Sequence, residues 1–160
     1  MTPVFWRQEV RPSDAEAVRT IVASTGFFSA AEVEIAVELV QARLADGDAS
    51  GYFFLLAEQE GRVVGYACYG PIAGTVARYD LYWIAVDAGR QRAGLGSLIL
   101  REAERAAAAS GAARLYVQTS TRPQYQPTRA FYERNGYALA AELPDYYSDG
   151  DGQAIYVKVL

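Results

Sequence analysis

No histidine occurs anywhere in the 160 residues. That absence excludes Ser-His-Asp and Cys-His catalysis, and every zinc site built on an imidazole. Cysteine is almost absent as well. Cys68 stands alone, so the chain has no internal disulfide and no thiolate cluster, and no metal site is expected. A free cysteine in an apolar run such as the one around Cys68 is expected to be a buried, inert thiol. Any general base must then be a carboxylate, a tyrosine, a lysine, the α-amine or a bound water.

Long apolar runs are missing too. None approaches the ~18–20 residues of a membrane span. The opening Met-Thr-Pro-Val-Phe-Trp-Arg lacks the basic region followed by an apolar one that marks a secretory leader, so the cytoplasm is the expected location. No basic run exceeds Arg90-Gln91-Arg92 and the net charge is −4, so nucleic acid is not an expected partner. An acidic surface would steer a cationic amine toward the protein, though it serves plain solubility equally well. There is no linker, repeat or low-complexity segment, and a single domain over residues 1–160 is expected. The composition, 51% apolar and 21% charged, fits a globular chain with one core.

Periodicity and turn chemistry give the element order β α α β β β α β α β β. Val4 to Val10 reads as a strand. Arg11-Pro12-Ser13-Asp14 reads as a turn and helix cap, with a helix over Ala15 to Ser24. Ser29-Ala30-Ala31-Glu32 has capping-box spacing and opens a helix to about Ala45, with Val33, Ala36, Val37, Val40 and Leu44 on its apolar face. Tyr52 to Glu58 and Arg62 to Gly70 form a hairpin. Val76 to Val86 is apolar on both faces, with Leu81, Trp83 and Ala85 on one side and Tyr82, Ile84 and Val86 on the other, which predicts a covered central strand. A helix over Gly94 to Ser110 buries Leu95, Leu98, Ile99, Ala103 and Ala106 and turns Arg101 and Glu104 outward. Glu102 falls beside that stripe without a sequence-level reason. Arg114 to Thr119 is a strand and Thr128 to Asn135 a helix. Tyr137 to Leu143 and Ala154 to Leu160 are strands joined by an acidic loop, Asp145 to Gly152. The fold class is α+β, a mixed seven-stranded sheet with about four helices on its two faces.

The segment after Val86 carries the chemistry. Five residues on, Gly94-Leu95-Gly96 opens a helix. Two glycines at a helix start let main chain approach a ligand, and the free N–H groups and dipole there attract an anion such as a pyrophosphate. The spacing fails the dinucleotide fingerprint, because Ile99 stands where a third glycine is needed. It fails the Walker A loop, because Gly96-Ser97 lacks the lysine. A tight turn without a ligand remains the alternative at this point.

Ile84-Ala85-Val86-Asp87, followed after three residues by Gln91-Arg92-Ala93-Gly94-Leu95-Gly96, resembles the signature of the GCN5-related N-acetyltransferase (GNAT) family. Thr128-Arg129-Ala130-Phe131-Tyr132-Glu133-Arg134-Asn135-Gly136-Tyr137 resembles the second motif of that family. The resemblance extends to the element order over essentially the whole chain. It implies a three-layer fold and acetyl-CoA as co-substrate, the acetyl group passing to a primary amine of a small molecule. The pyrophosphate would lie on the main-chain N–H groups of Arg92, Ala93, Gly94, Leu95, Gly96 and Ser97, in the turn opened by Gln91. The pantetheine arm would pair with Ile84, Ala85 and Val86, and Tyr132 would be the general acid toward the thiolate. The chain departs from the pattern twice. Tyr125 replaces an asparagine that contacts coenzyme A in many members, and Gln118 stands where some carry a glutamate base. Asp80 is then a candidate base. Asp145, Tyr146 and Tyr147, and Gly26-Phe27-Phe28, are candidate acceptor walls, against the plainer readings of a surface loop and a core corner. A peptide N-terminal acetyltransferase and a non-catalytic acyl-CoA sensor are rival readings, and a homodimer is an open possibility.

Overall fold

The computed structural model describes residues 2–160. The strands are β1 (Phe5–Arg7), β2 (Phe53–Gln59), β3 (Arg62–Pro71), β4 (Arg78–Val86), β5 (Arg114–Ser120), β6 (Ala138–Ser148) and β7 (Asp151–Val159). The helices are α1 (Asp14–Ser24), α2 (Ala30–Asp46), α3 (Leu95–Ala109) and α4 (Gln126–Arg134). One seven-stranded sheet runs β1-β2-β3-β4-β5-β7-β6, so β4 is its middle strand, as its two apolar faces predict. Among the described residues only the β4–β5 pair is parallel.

Two apolar clusters flank the sheet. α1 and α2 cover one face through Val18, Ile21, Val37 and Val40, packed on Phe54, Leu56 and Tyr66. α3 covers the other through Ile99, Leu100, Ala103 and Ala107, packed with Leu55, Leu81 and Leu115. Ile99 is wholly buried. Ile99→Ala should lower unfolding free energy by about 2–5 kcal/mol, from lost burial plus the cavity left behind; urea denaturation measures it. Cys68 is buried and free, and burial pushes its thiol well above the usual range, as expected of an inert thiol.

Several local expectations are corrected. The first strand keeps only Phe5–Arg7 of the expected Val4–Val10. Ser13 makes no side-chain cap; Asp14 does the work, accepting from Arg11 N at 2.7 Å and from the Arg7 guanidinium at 2.7 and 2.9 Å. The Ser29–Glu32 capping box forms as expected. Leu44 and Leu98 are not buried. Pro127 sits in the first turn of α4, so that helix starts at Gln126 and not at Thr128.

The two glutamates of α3 exchange their expected places. Glu102 pairs with Arg105 on the half-exposed side. Glu104 is buried, accepting from Tyr137 Oη at 2.7 Å and Lys158 Nζ at 3.0 Å. Lys158 also donates to Asn135 O at 2.9 Å, so this cluster ties α3, the end of α4 and β7 together. Its partners come from distant segments, which helical periodicity does not register.

The acidic segment Asp145–Gly152 is not a loop. β6 continues to Ser148, which pairs with Asp151 across a tight turn. Asp145 takes a left-handed conformation at the register shift, and its carboxylate accepts from Gly150 N at 2.8 Å. That side-chain bridge supplies the turn chemistry and lets both strands extend.

Candidate active site

β4 and β5 are in register only over Arg78–Asp80 and Arg114–Tyr116. A bulge at Tyr82 lies just beyond, where Cys68 faces Trp83 but Tyr69 faces Leu81. A bulge bends and twists its strand. From there β4 and β5 diverge, and the β5-facing edge of β4 from Leu81 to Val86 has no strand partner. The gap opens a cleft of about 1030 Å³. The bulge also moves Leu81 to the α3 face beside Ile84 and Val86, while Trp83 and Ala85 pack on the other. The expected strict alternation of β4 fails at Leu81 and Tyr82, which each lie on the side opposite to that expected.

The turn after β4 is held by its own side chains. Asp87 Oδ1 accepts from Gly89 N at 2.9 Å. The Gln91 side-chain amide donates to Val86 O at 3.1 Å, which closes the loop on the strand end. Arg92 and Gly94 both have left-handed backbones, with φ of 70° and 77°. Left-handed residues in a turn aim neighbouring N–H groups to one side, the geometry of an anion-binding concavity. Glycine adopts that backbone freely, whereas Arg92 is held in it by the structure around it. Gly94 is the N-cap of α3, so the N–H groups of Leu95, Gly96 and Ser97 have no acceptor within the helix.

Arg92, Gly94, Gly96 and Ser97 line the cleft with Ile84, Ala85 and Val86. Gln91 borders it and also a second cavity of about 340 Å³, which Ala93 and Leu95 border from behind. Ala93 and Leu95 do not line the main cleft; Ala93 is exposed and the Leu95 side chain is buried in the core. A Cβ added at Gly96 would stand 3.4 Å from Phe131 Cε1, at the tight edge of ordinary contact, so a larger side chain would have to turn into the cleft or displace Phe131.

α4 supplies Phe131 and Tyr132 to the cleft wall. The expectation that Phe131 fills the core and frees Tyr132 is reversed in degree. Tyr132 is buried, its ring centroid 5.6 Å from that of Tyr137 and 6.3 Å from that of Tyr156, while Phe131 is half-buried over Gly96. Burial pushes the Tyr132 phenol well above its usual range, so it stays protonated at neutral pH.

The opposite side of the cleft is aromatic. Phe27 and Phe28, from the α1–α2 connection, line it with Tyr82, Trp83 and Tyr125. Tyr125 turns its ring to Phe27, with centroids 4.7 Å apart, and Arg122 lies over it at 5.6 Å. Of the segment Asp145–Tyr147, Tyr147 alone lines the cleft. Asp80 does not line it directly. Its carboxylate accepts from the Gln118 amide at 3.2 Å, and Gln118 does line it. Burial raises the Asp80 carboxyl above its ordinary value, and the Gln118 hydrogen bond opposes that.

A polar cluster at the end of β5 has no local sequence signal. Ser120 donates to the Asp151 carboxylate, and Asp151 pairs with Arg122 at 3.3 Å. Arg129 of α4 donates to Ser120 O at 2.7 Å and Arg122 O at 3.1 Å. These bonds fix the helix carrying Tyr132 against the strand carrying Gln118.

A seven-stranded mixed sheet parted between two parallel strands, with helices on both faces, is the fold of the GNAT acetyltransferases. The chain belongs to the acetyltransferase (GNAT) family, whose sequence profile matches residues 16–137. It is similar to a GNAT-family acetyltransferase from Desulfovibrio desulfuricans of known structure, at 44% identity and a TM-score of 0.96, over 98% of this chain and 99% of that one. It is 40% identical to a blasticidin-S acetyltransferase from Streptomyces morookaense over 92 residues, 51% of this chain. That match spans 63% of the length of the relative. An aminoglycoside 6'-N-acetyltransferase solved with coenzyme A shares the fold at 15% identity and a TM-score of 0.75, over 98% of this chain and 96% of that one.

Proposed function

We propose that the chain moves the acetyl group of acetyl-CoA to a primary amine of a small molecule, by direct attack in a ternary complex. One observation carries this reading: the anion-binding turn, the free edge of β4 and the buried Tyr132 line a single cleft. Acetyl-CoA, when bound, supplies an activated acetyl carbonyl. The N–H groups of Arg92 to Ser97 hold its pyrophosphate, and the free edge of β4 at Ile84, Ala85 and Val86 pairs with the pantetheine arm. A free N–H of that edge polarises the carbonyl oxygen. The amine nitrogen bonds to the acetyl carbon as the carbon–sulfur bond breaks. Tyr132 gives its proton to the departing sulfur, and Asp80, which stands behind Gln118, receives the proton lost by the amine through a bound water.

Family membership supports the donor. The relative named for blasticidin S, and the Phe27–Tyr125 contact that bridges the acceptor side, support a small acceptor over a peptide chain. Thiol release from acetyl-CoA with a panel of amines and peptides tests the reading. Tight coenzyme A binding with no turnover on any acceptor would leave a sensor instead.

Asp80→Asn gives the pH test. A base must be ionised, so kcat should fall on the acid side as Asp80 gains its proton, at a pH above the ordinary carboxyl value of about 3.9. The variant should lose that limb and about a hundredfold in kcat at neutral pH. An unchanged limb would return Asp80 to a structural partner of Gln118. The same shift opposes folding. Between the ordinary and raised values the folded chain holds the proton more tightly, so the contribution of this group to stability falls as pH rises.

A further inference from the structure

Four rings form a continuous wall on the acceptor side. Phe28 meets Trp83 at 4.9 Å between centroids and Phe27 at 5.4 Å, and Phe27 meets Tyr125 at 4.7 Å. The interplanar angles are 62°, 81° and 73°, so each contact is edge to face. Each such contact sets one ring's edge on its partner's face, and the rings, all half-buried, keep the rest of their surface open to the cleft. The rings come from three separate places: the α1–α2 connection, the bulged β4 and the turn before α4. Carboxylates accompany them. Glu32 lines the same cleft, close enough to Tyr125 to help raise its phenol, and Asp80 lies behind Gln118. Of the arginines lining the cleft, Arg122 lies over Tyr125 and is paired with Asp151, while Arg92 stands at the phosphate turn.

We infer that the acceptor is an arylalkylamine: a flat aromatic body seated against the Phe27, Phe28, Trp83 and Tyr125 rings, with its ammonium drawn to the carboxylate side. This rests on the acetyl-transfer reading above. Ring faces bind both a planar apolar body and a cation, whereas a polyhydroxylated sugar needs many hydrogen-bonding partners that this wall does not offer. A flexible alkylamine of similar length leaves the ring faces without a stacking partner.

The test uses the full chain with acetyl-CoA and three probes: phenethylamine, hexylamine and kanamycin. Phenethylamine should exceed hexylamine at least tenfold in kcat/KM for thiol release, and kanamycin should be the poorest. Phe27→Leu, a change on a half-exposed connection, should shrink the phenethylamine-to-hexylamine ratio to about two or less while the KM for acetyl-CoA stays within twofold. A second readout is binding alone. In the Trp6→Phe protein loaded with coenzyme A, phenethylamine should quench Trp83 emission and hexylamine should not. Transfer to hexylamine or kanamycin as good as to phenethylamine would overturn the inference and leave the transferase reading standing. Trp83 quenching by phenethylamine with no transfer to any amine would keep the aromatic acceptor site and sink the transferase reading. Absence of both would sink both.

Discussion

Gly96→Glu should abolish measurable coenzyme A binding, a loss of about a thousandfold in titration calorimetry. Two effects add. The new side chain enters where a Cβ already meets Phe131 at 3.4 Å, so it must point into the phosphate concavity or push α4 aside. Its carboxylate then faces the pyrophosphate. Two like charges about 4 Å apart in a partly buried site repel by roughly 4 kcal/mol at an effective dielectric of about 20, and each 1.4 kcal/mol is about tenfold in affinity. Gly96→Ala is the control. A methyl group asks Phe131 to give by a few tenths of an ångström and adds no charge, so affinity should fall only a few-fold. Both proteins should keep wild-type circular dichroism. Unchanged affinity in Gly96→Glu would remove the pyrophosphate from this turn.

The second large effect is on rate. Tyr132→Phe should lower kcat by about 10²–10³, within the usual contribution of a positioned general acid, and leave the KM for acetyl-CoA within about twofold. The phenyl ring keeps the contacts with Tyr137 and Tyr156, so folding is not at stake. Because burial raises the phenol, wild-type enzyme should show no alkaline loss from this group below about pH 10, its ordinary value. Equal kcat for the two proteins would make Tyr132 a core aromatic and nothing more.

The turn and strand edge proposed for the donor are legible in the amino-acid order because their parts are contiguous. Gln91 to Ser97 is one turn and one helix start, and the preceding strand is its neighbour in sequence. The central position of β4 followed from apolar residues on both of its faces. The acceptor half was harder to read. Phe27 and Phe28 are neighbours in sequence, but the ring that meets Phe27 belongs to Tyr125, almost a hundred positions away. Glu104 was set outside its helix because its partners, Tyr137 and Lys158, lie on β-structure far along the chain. The bulge at Tyr82 has no residue signature in its own strand. Asp145 to Gly152 looked like a loop by composition, yet one aspartate side chain caps the turn and the strands run on. In each case the missing information was a pairing between distant segments.

The single inserted residue at Tyr82 gives β4 a division of labour. Because the strand gains one position there, Tyr82 and Trp83 turn to the same side although they are consecutive, while Ile84 and Val86 stay on the α3 side. On the acetyl-transfer reading we propose, the middle strand is a partition wall, with the acyl carrier on one side and its receiver on the other. Substitutions at Phe28, Tyr82 or Trp83 are then expected to change the receiving room, and with it the acceptor preference, while the acetyl supply stays intact.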